Sequence, residues 1–159
     1  GEEVEKKQKE QEKERRIEKR LQVKERIPLI VKSLSECKEG VSTIEGITME
    51  LTKFGKPNFC YSISNDYDDV FHIGLGQVLC KADPTLIYCG LFEEGEKIRV
   101  IVYAGDEISK EKSAGEIVKS ISEILGGAGG GSPKFAQGGG PDKSKKEDAI
   151  KNAKTVIFE

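Results

Sequence analysis

The chain has 159 residues, of which 34% are charged and 36% are hydrophobic, and its formal net charge is −2. This length suits one domain with an extension, and the charge balance excludes a generally basic nucleic-acid-binding protein. No apolar run is long enough to span a bilayer and no signal peptide is visible, so we expect no membrane partner. Because the only methionine is Met49, we expect a piece of a longer chain.

The first 26 residues are predicted to form a charged helix. They hold ten Lys or Arg and eight Glu, a balance of +2, which leaves −4 for the remainder. Residues 2–26 are almost all strong helix formers, and opposite charges such as Glu12 and Arg16 can pair four residues apart. Such a helix has too few apolar side chains to bury a wide face. We interpret it as a solvated spacer or as the end of a longer helical connector.

An apolar seam begins in the second half of this helix. Its five members recur at steps close to the helical period, and they are Ile17, Leu21, Ile27, Val31 and Leu34. Pro28 is expected to kink the helix or to start a new one, and Gly40 to stop it. The seam either packs on its own domain or forms a dimer interface with a second copy. We divide the chain into a helical arm and dimerisation segment, 1–39, and a globular glycine-loop domain, 40–159.

The body is predicted to be an α+β domain, in which helices flank a mixed sheet of about four strands. β-Rich runs occupy residues 41–51, 58–64, 85–92 and 97–104, with turns expected at 54–57 and 93–96. Three further helices are expected, the first from a cap at Asn65 or Asp66 to Lys81, the second from Ser109 or Ser113 to Leu125, and the third over 145–154 after Ser144. The apolar residues 156–158 close the chain.

Neither the cysteines nor the single histidine suggests a metal centre. The four cysteines form no C-x-x-C pair and are expected to be small buried hydrophobic residues, namely Cys37, Cys60, Cys80 and Cys89. His72 has no partner at metal-ligand spacing, so we interpret it as a packed or surface side chain. Asp68 and Asp69 suit the first turn of a helix rather than a catalytic pair. We therefore predict no catalytic residue and no metal site.

Eight of the 18 glycines fall within residues 126–140, directly after a predicted helix. Glycine lets the backbone approach a ligand closely, and a run of free N–H groups can bind an anion. A P-loop and a Rossmann fingerprint are both excluded, because no strand precedes the glycines. A flexible tether is the alternative, but Pro133, Phe135 and Gln137 interrupt the run. We therefore predict a structured loop that faces a ligand.

The residues that follow the glycines are locally basic. Residues 134–154 hold six Lys against three Asp or Glu, a balance of +3. They form either a phosphate-contacting surface or an ordinary solvated helix face.

The stretch from Gly126 to Gly139, GGAGGGSPKFAQGG, resembles the C-terminal, DHH-associated domain of alanyl-tRNA synthetases. The family pattern is G-G-x-G-G-G-x-P-x-x-A-Q-x-G, and the spacing matches throughout. The order of elements from about Leu21 onwards is also compatible. Many relatives carry a basic residue at the position of Ala128 and an arginine at that of Ser132, so those phosphate contacts would be lost here.

The resemblance implies a non-catalytic C-terminal domain of a cytoplasmic alanyl-tRNA synthetase. Such a domain would dimerise the enzyme and bind the outer corner of its alanine-specific tRNA, which links aminoacylation and editing. Its other partners would be the upstream catalytic and editing domains of the same chain, which would hold any ATP and zinc, so no cofactor is expected here. The expected nucleic-acid-binding residues are Gly127, Gly129, Gly130, Gly131, Lys134, Gln137, Gly138, Gly139 and Lys143.

Two other functions remain open on the sequence. The chain could be the substrate-binding half of a DHH-type phosphoesterase, in which a glycine-rich motif holds nucleotide phosphate. It could also be a purely structural helical interaction module.

Overall fold

The computed structural model describes residues 1–36, 40–51, 57–65 and 67–159, without the side chains of Lys19, Gln22 and Val23. These ranges contain four α-helices: α1 (Glu2–Ser35), α2 (Asp69–Ala82), α3 (Ala114–Ile124) and α4 (Lys146–Phe158). They also contain seven strands: β1 (Gly40–Ile44), β2 (Ile47–Leu51), β3 (Asn58–Ile63), β4 (Leu86–Glu94), β5 (Lys97–Ala104), β6 (Ala128–Gly131) and β7 (Phe135–Gly140). Among the described residues, no helix is both long and apolar enough to cross a membrane.

All seven strands belong to one mixed sheet, in the order β1-β2-β3-β4-β5-β7-β6. β3 and β4 are parallel, and the other neighbours are antiparallel. The helix α2 lies between β3 and β4 in the chain, as a parallel connection requires. The predicted α+β class and the mixed sheet are confirmed, but the sheet has seven described strands instead of about four.

The sheet separates two hydrophobic cores. On one face, α3 and α4 pack on alternate residues of the central strands, such as Ile87, Val100 and Val102. On the other face, α2 and the last turns of α1 pack on a different set that includes Met49 and Tyr88. Because side chains alternate along a strand, each central strand contributes to both cores. The domain therefore has three layers, with the sheet in the middle.

The extra strands come from two tight hairpins. The run 41–51, predicted as one strand, is divided by a two-residue turn at Glu45 and Gly46, where φ is 49° and 78°. Two successive positive φ values match the turn twist that joins antiparallel strands. The turn predicted at 93–96 is also shorter, because Glu94 pairs with Lys97. The turn predicted at 54–57 lies mostly outside the described residues.

The helices differ from the prediction mainly at their starts. α1 is one helix that contains Pro28, so the chain does not restart there. Gly40 opens β1, and residues 37–39 between them lie outside the described part. α2 is capped by Asp68, whose carboxylate accepts from the Phe71 N–H at 3.2 Å, rather than by Asn65; Asp66 is not described. Ser113 precedes α3 as predicted.

The last helix begins and ends later than predicted. Lys143–Lys145 forms a short 3-10 turn capped by Asp142 rather than Ser144, and α4 starts at Lys146. α4 continues to Phe158, whose ring meets the Phe59 ring edge-on at 6.2 Å. The apolar end of the chain therefore completes the core beneath α3.

His72 lies on α2 and packs against the face of the sheet that this helix covers. It is fully buried, and its Nδ1 lies 2.6 Å from the Tyr88 hydroxyl. Its ring stacks on Phe92 with centroids 5.0 Å apart. Nε2 has no hydrogen-bond partner among the described residues. Burial lowers the pKa of His72 from 6.5 to about 4, although the Asp68 carboxylate opposes the shift.

Because the folded state holds His72 neutral, we expect acid to destabilise the domain. Between pH 6.5 and about 4 the unfolded chain binds a proton that the folded chain does not, so stability falls as pH falls. The effect on the unfolding free energy should reach about 3 kcal/mol. Urea unfolding of the unmodified chain and of His72→Gln at pH 7 and at about pH 4.5 measures it. An equal loss of stability in both proteins would contradict this expectation, since carboxylates titrate alike in both.

Candidate nucleic-acid interface

The glycine-rich stretch is a β-hairpin rather than the predicted loop. β6 and β7 pair from Ala128 opposite Gly139 to Gly131 opposite Ala136. The Ser132 N–H donates to the Phe135 carbonyl at 2.8 Å and closes the turn, which leaves Pro133 and Lys134 at the tip. β7 also pairs with β5, so β6 lies at one edge of the sheet and β1 lies at the other.

Most of the glycines are required by packing within the protein. Gly129 and Gly138 lie opposite each other beneath Ser122 of α3, and a Cβ on Gly129 would stand 2.8 Å from the Ser122 oxygen. A Cβ on Gly138 would also overlap Ser122, and Cβ atoms on Gly127, Gly131 or Gly139 would overlap backbone atoms. Gly130 alone in this strand would meet nothing within 4 Å. Close approach of α3 explains Gly129 and Gly138, and close approach of neighbouring backbone explains Gly127, Gly131 and Gly139, all of which were expected to face a ligand.

The hairpin tip also caps α3. The N–H groups of Ala114 and Gly115 donate to the carbonyls of Pro133 and Ser132 at 2.8 and 3.1 Å. Helix N-terminal N–H groups otherwise have no partner within the helix. The start of α3 is thus occupied by the protein's own backbone and does not offer these two groups to an anion.

One face of the sheet is open beside the hairpin. Alternation along the strands puts Arg99 and Tyr103 of β5, Gln137 of β7 and Gly130 of β6 on the face opposite α3 and α4. α2 packs on this face over β4 and β5. The Gln137 side chain is exposed and the space above Gly130 is empty. A ligand can therefore approach the backbone of β6 and β7 from this side.

A groove of about 430 Å³ lies at the end of this open face. We call it the glycine groove, because the backbone of Gly127, Gly138 and Gly139 lines it together with the side chains of Lys97 and Arg99. Backbone without Cβ atoms allows a phosphate oxygen to come close, and the lining also holds two cations, Lys97 and Arg99, and one carboxylate, Glu94. The groove is suited to an anion.

Arg99 is held in place by several contacts. Its Nη2 donates to Gln137 Oε1 at 2.8 Å and its Nη1 to Glu94 Oε2 at 3.1 Å. Its guanidinium lies 5.6 Å from the centre of the Phe92 ring, and Asp69 is 3.8 Å away. Arg99 is not among the residues predicted from the sequence, since only the strand register brings it opposite Gly139. Its one signal in the sequence is a charge inside an otherwise apolar β-run.

The predicted lysines do not form one cluster with the groove. Lys134 sits at the hairpin tip and pairs with Asp106 at 3.0 Å. Lys143 follows the other end of β7, where it donates to the Gly95 carbonyl at 2.8 Å and lies 3.8 Å from Glu93. Among the expected binding residues, Gly127, Gly138 and Gly139 line the groove, and Gln137 supports it through Arg99. Lys134 and Lys143 are separated by the length of β7.

The expected dimer seam divides into two parts. Ile27 and Leu34 are buried in the core that α1 shares with α2, and Val31 is partly buried against it. These three side chains already contact the domain's own residues, because the last turns of α1 lie over α2. Ile17 and Leu21 are 50% and 46% exposed. The surface free to meet a second chain is thus the earlier part of α1, and the packed body begins inside α1 near Ile27.

The described cysteines are buried thiols. Cys60, Cys80 and Cys89 are free, and burial raises the pKa of Cys80 to about 12 and those of the other two well above their ordinary value. Cys37 lies outside the described residues. Within the described part, no group of three or more His, Cys, Asp or Glu residues could hold a metal ion.

Two alanine substitutions in the hairpin separate packing from open surface. Gly138→Ala places a methyl group against Ser122, so we expect it to lower the unfolding free energy by about 1–3 kcal/mol. Gly130→Ala enters empty space and should change it by less than about 0.5 kcal/mol. Thermal unfolding compares the two variants. Equal melting temperatures would show that α3 does not hold Gly138 as described.

The chain matches known proteins along most of its length. The DHHA1 domain family matches residues 73–159. Alanine–tRNA ligase of Nitrosopumilus maritimus is 42% identical over 150 residues, which is 94% of this chain and 16% of the ligase. The ligase of Cenarchaeum symbiosum is 36% identical over 139 residues, 87% of this chain and 14% of the ligase.

A solved structure agrees with the fold. The C-Ala domain of Aquifex aeolicus alanyl-tRNA synthetase superposes with a TM-score of 0.64 and 24% identity, over 70% of this chain and 98% of that domain. The chain thus spans about one-sixth of the curated ligases it matches. The matched part is their C-terminal region and not a catalytic domain. The chain therefore belongs to the DHHA1 domain family, in the form found in the C-terminal region of alanine–tRNA ligases.

Proposed function

We propose that this domain binds alanine-specific tRNA within a dimeric alanine–tRNA ligase, and that the glycine groove holds the phosphate backbone of the tRNA. The observation that carries the proposal is the open sheet face on which Arg99 is fixed beside glycine backbone. Arginine presents its donors in a planar fork that matches phosphate oxygens. Glu94, which now accepts one of these donors, is an exposed side chain that a phosphate can replace.

The proposed role is positioning and not catalysis. Contacts to phosphate and sugar fix the register of a protein on nucleic acid without reading its sequence. A domain of this kind would hold the outer corner of the tRNA while other domains of the same cytoplasmic chain charge and edit it. Those domains would supply the alanine specificity, the ATP site and any zinc.

Binding by this domain alone should be weak and dependent on salt. The body after residue 26 carries a balance of −4, and Glu94 and Asp69 stand next to Arg99. Because the positive charge beside the groove is confined to Lys97 and Arg99, the affinity should be low, and it should depend on the counterions released from the phosphates that these two residues contact, a release that added salt opposes.

The double variant Arg99→Gln, Lys97→Gln tests the groove. We expect its tRNA affinity to fall by roughly tenfold or more, and the slope of log affinity against log salt to decrease by about 1–2. Filter binding of a tRNA transcript to the 159-residue chain measures both quantities. Lys119→Gln on α3, behind the sheet, is the matched control and should bind like the unmodified chain. An unchanged affinity and slope in the double variant would place the RNA elsewhere.

We also propose that the exposed part of α1 forms the homodimer contact. Ile17 and Leu21 lie four residues apart, so they share one face of the helix. Burying each against a second chain would contribute roughly 1.5–3 kcal/mol, and a two-fold arrangement would use the pair twice.

Replacing this pair should separate the dimer without unfolding the body. Because both side chains are exposed in the single chain, Ile17→Glu with Leu21→Glu should leave the circular dichroism spectrum of the folded chain unchanged and convert dimer to monomer in sedimentation equilibrium. Val70→Glu alters an exposed valine on α2 and should leave the dimer intact. A monomeric unmodified chain at high concentration would refute the dimer proposal.

A further inference from the structure

A second pocket lies on the same open face, at the hairpin tip. It has a volume of about 370 Å³ and is lined by residues that include Gln77 and Lys81 of α2, Tyr103 of β5, Asp106 and Lys134. It shares no lining residue with the glycine groove. Its volume falls in the range of small-ligand sites. We call it the Tyr103 pocket.

The ring of Tyr103 is fixed by its surroundings. Gly76 of α2 lets it lie close, since a Cβ there would stand 3.0 Å from Tyr103 Cγ. The Phe135 ring is 4.7 Å away and tilted by 33°. The ring is partly buried and is one of the residues that line the pocket, and a side chain that is already ordered binds a ligand at little entropic cost.

The charges at the rim select the ligand chemistry. Lys81 and Lys134 are exposed ammonium groups that can meet phosphate. Asp106 pairs with Lys134 at 3.0 Å and is an acceptor for an amino group. A flat aromatic group with amino donors and a phosphate beside it is a nucleotide. A small inorganic anion would gain nothing from the ring and would be repelled by Asp106.

The rim of the pocket is rigid. The Gly105 N–H donates to the Leu86 carbonyl at 2.9 Å, and the Ile108 N–H donates to the Pro84 carbonyl at 3.0 Å. A Cβ on Gly105 would overlap Pro84. The segment after β5 is therefore held against the start of β4, and the pocket exists before any ligand arrives.

The two sites lie along one strand. Arg99 and Tyr103 are four residues apart on the same face of β5, which is about 13 Å at 3.3 Å per residue. We propose that the Tyr103 pocket takes one unstacked base of the RNA whose phosphates lie in the glycine groove, with the base stacked on Tyr103. The proposal rests on the proposed function, because it assigns a second contact to the same bound RNA.

The test uses the 159-residue chain with a single-stranded RNA pentanucleotide, the same backbone with abasic riboses, and free AMP. Tyr103→Leu keeps an apolar side chain over Gly76 but removes the ring, so RNA binding should weaken by roughly 5- to 150-fold. Tyr103→Phe keeps the ring and should bind within about twofold of the unmodified chain. The abasic RNA should bind the unmodified chain as weakly as the intact RNA binds Tyr103→Leu.

One control variant and three comparisons make each outcome decisive. Tyr61→Leu removes a ring from the opposite face of the sheet and should not change binding. Intact RNA and abasic RNA that bind the unmodified chain equally would overturn the base pocket, even if Tyr103→Leu failed to fold. If AMP binding depends on Tyr103 and RNA binding does not, the pocket binds a free nucleotide instead of a base of the RNA. If Arg99→Gln weakens RNA binding but Tyr103→Leu does not, phosphate binding in the glycine groove is supported and base binding in the Tyr103 pocket is refuted.

Discussion

The close contact between α3 and the glycine hairpin is the constraint on which the open face depends. Gly129 and Gly138 let Ser122 approach the backbone, and the hairpin tip caps α3 through two carbonyls. On the other side of the hairpin, β7 pairs with β5, and this pairing brings Gln137 to Arg99. A side chain at either glycine would push the hairpin away from α3 and alter the groove on the far side of the sheet. These two glycines thus affect the groove through packing on the opposite face of the sheet.

Periodicity predicted much of the scaffold and little of the site. The runs 85–92 and 97–104 are strands, and α3 has its expected apolar face. In each of these segments the spacing of apolar residues matches the side chains that the fold buries. Glycine is depleted in strands, so the hairpin at 128–140 could not be predicted from propensity. Pairing with β5 imposes it. Arg99 could not be predicted as a site residue either, because its neighbours across the sheet are set by the strand register.

The apolar seam of α1 shows a second limit of sequence reasoning. A helix that packs on its own domain and one that packs on a second chain use the same spacing of apolar residues. Only the structure separates buried Ile27 and Leu34 from exposed Ile17 and Leu21. The apolar neighbours of the described cysteines did predict their burial, whereas His72 was expected to be either packed or on the surface, and the structure shows it buried.

The long first helix has a mechanical consequence. At 1.5 Å per residue, the 34 residues of α1 form a rod of about 51 Å whose last turns are anchored in the core. Pro28 has no N–H, so the Lys24 carbonyl lacks its helical bond where the anchored part meets the free part. Bending is therefore easiest at that one level. A domain joined to the free end would swing about Pro28 at a nearly constant distance from Pro28, because the helix between them keeps its length.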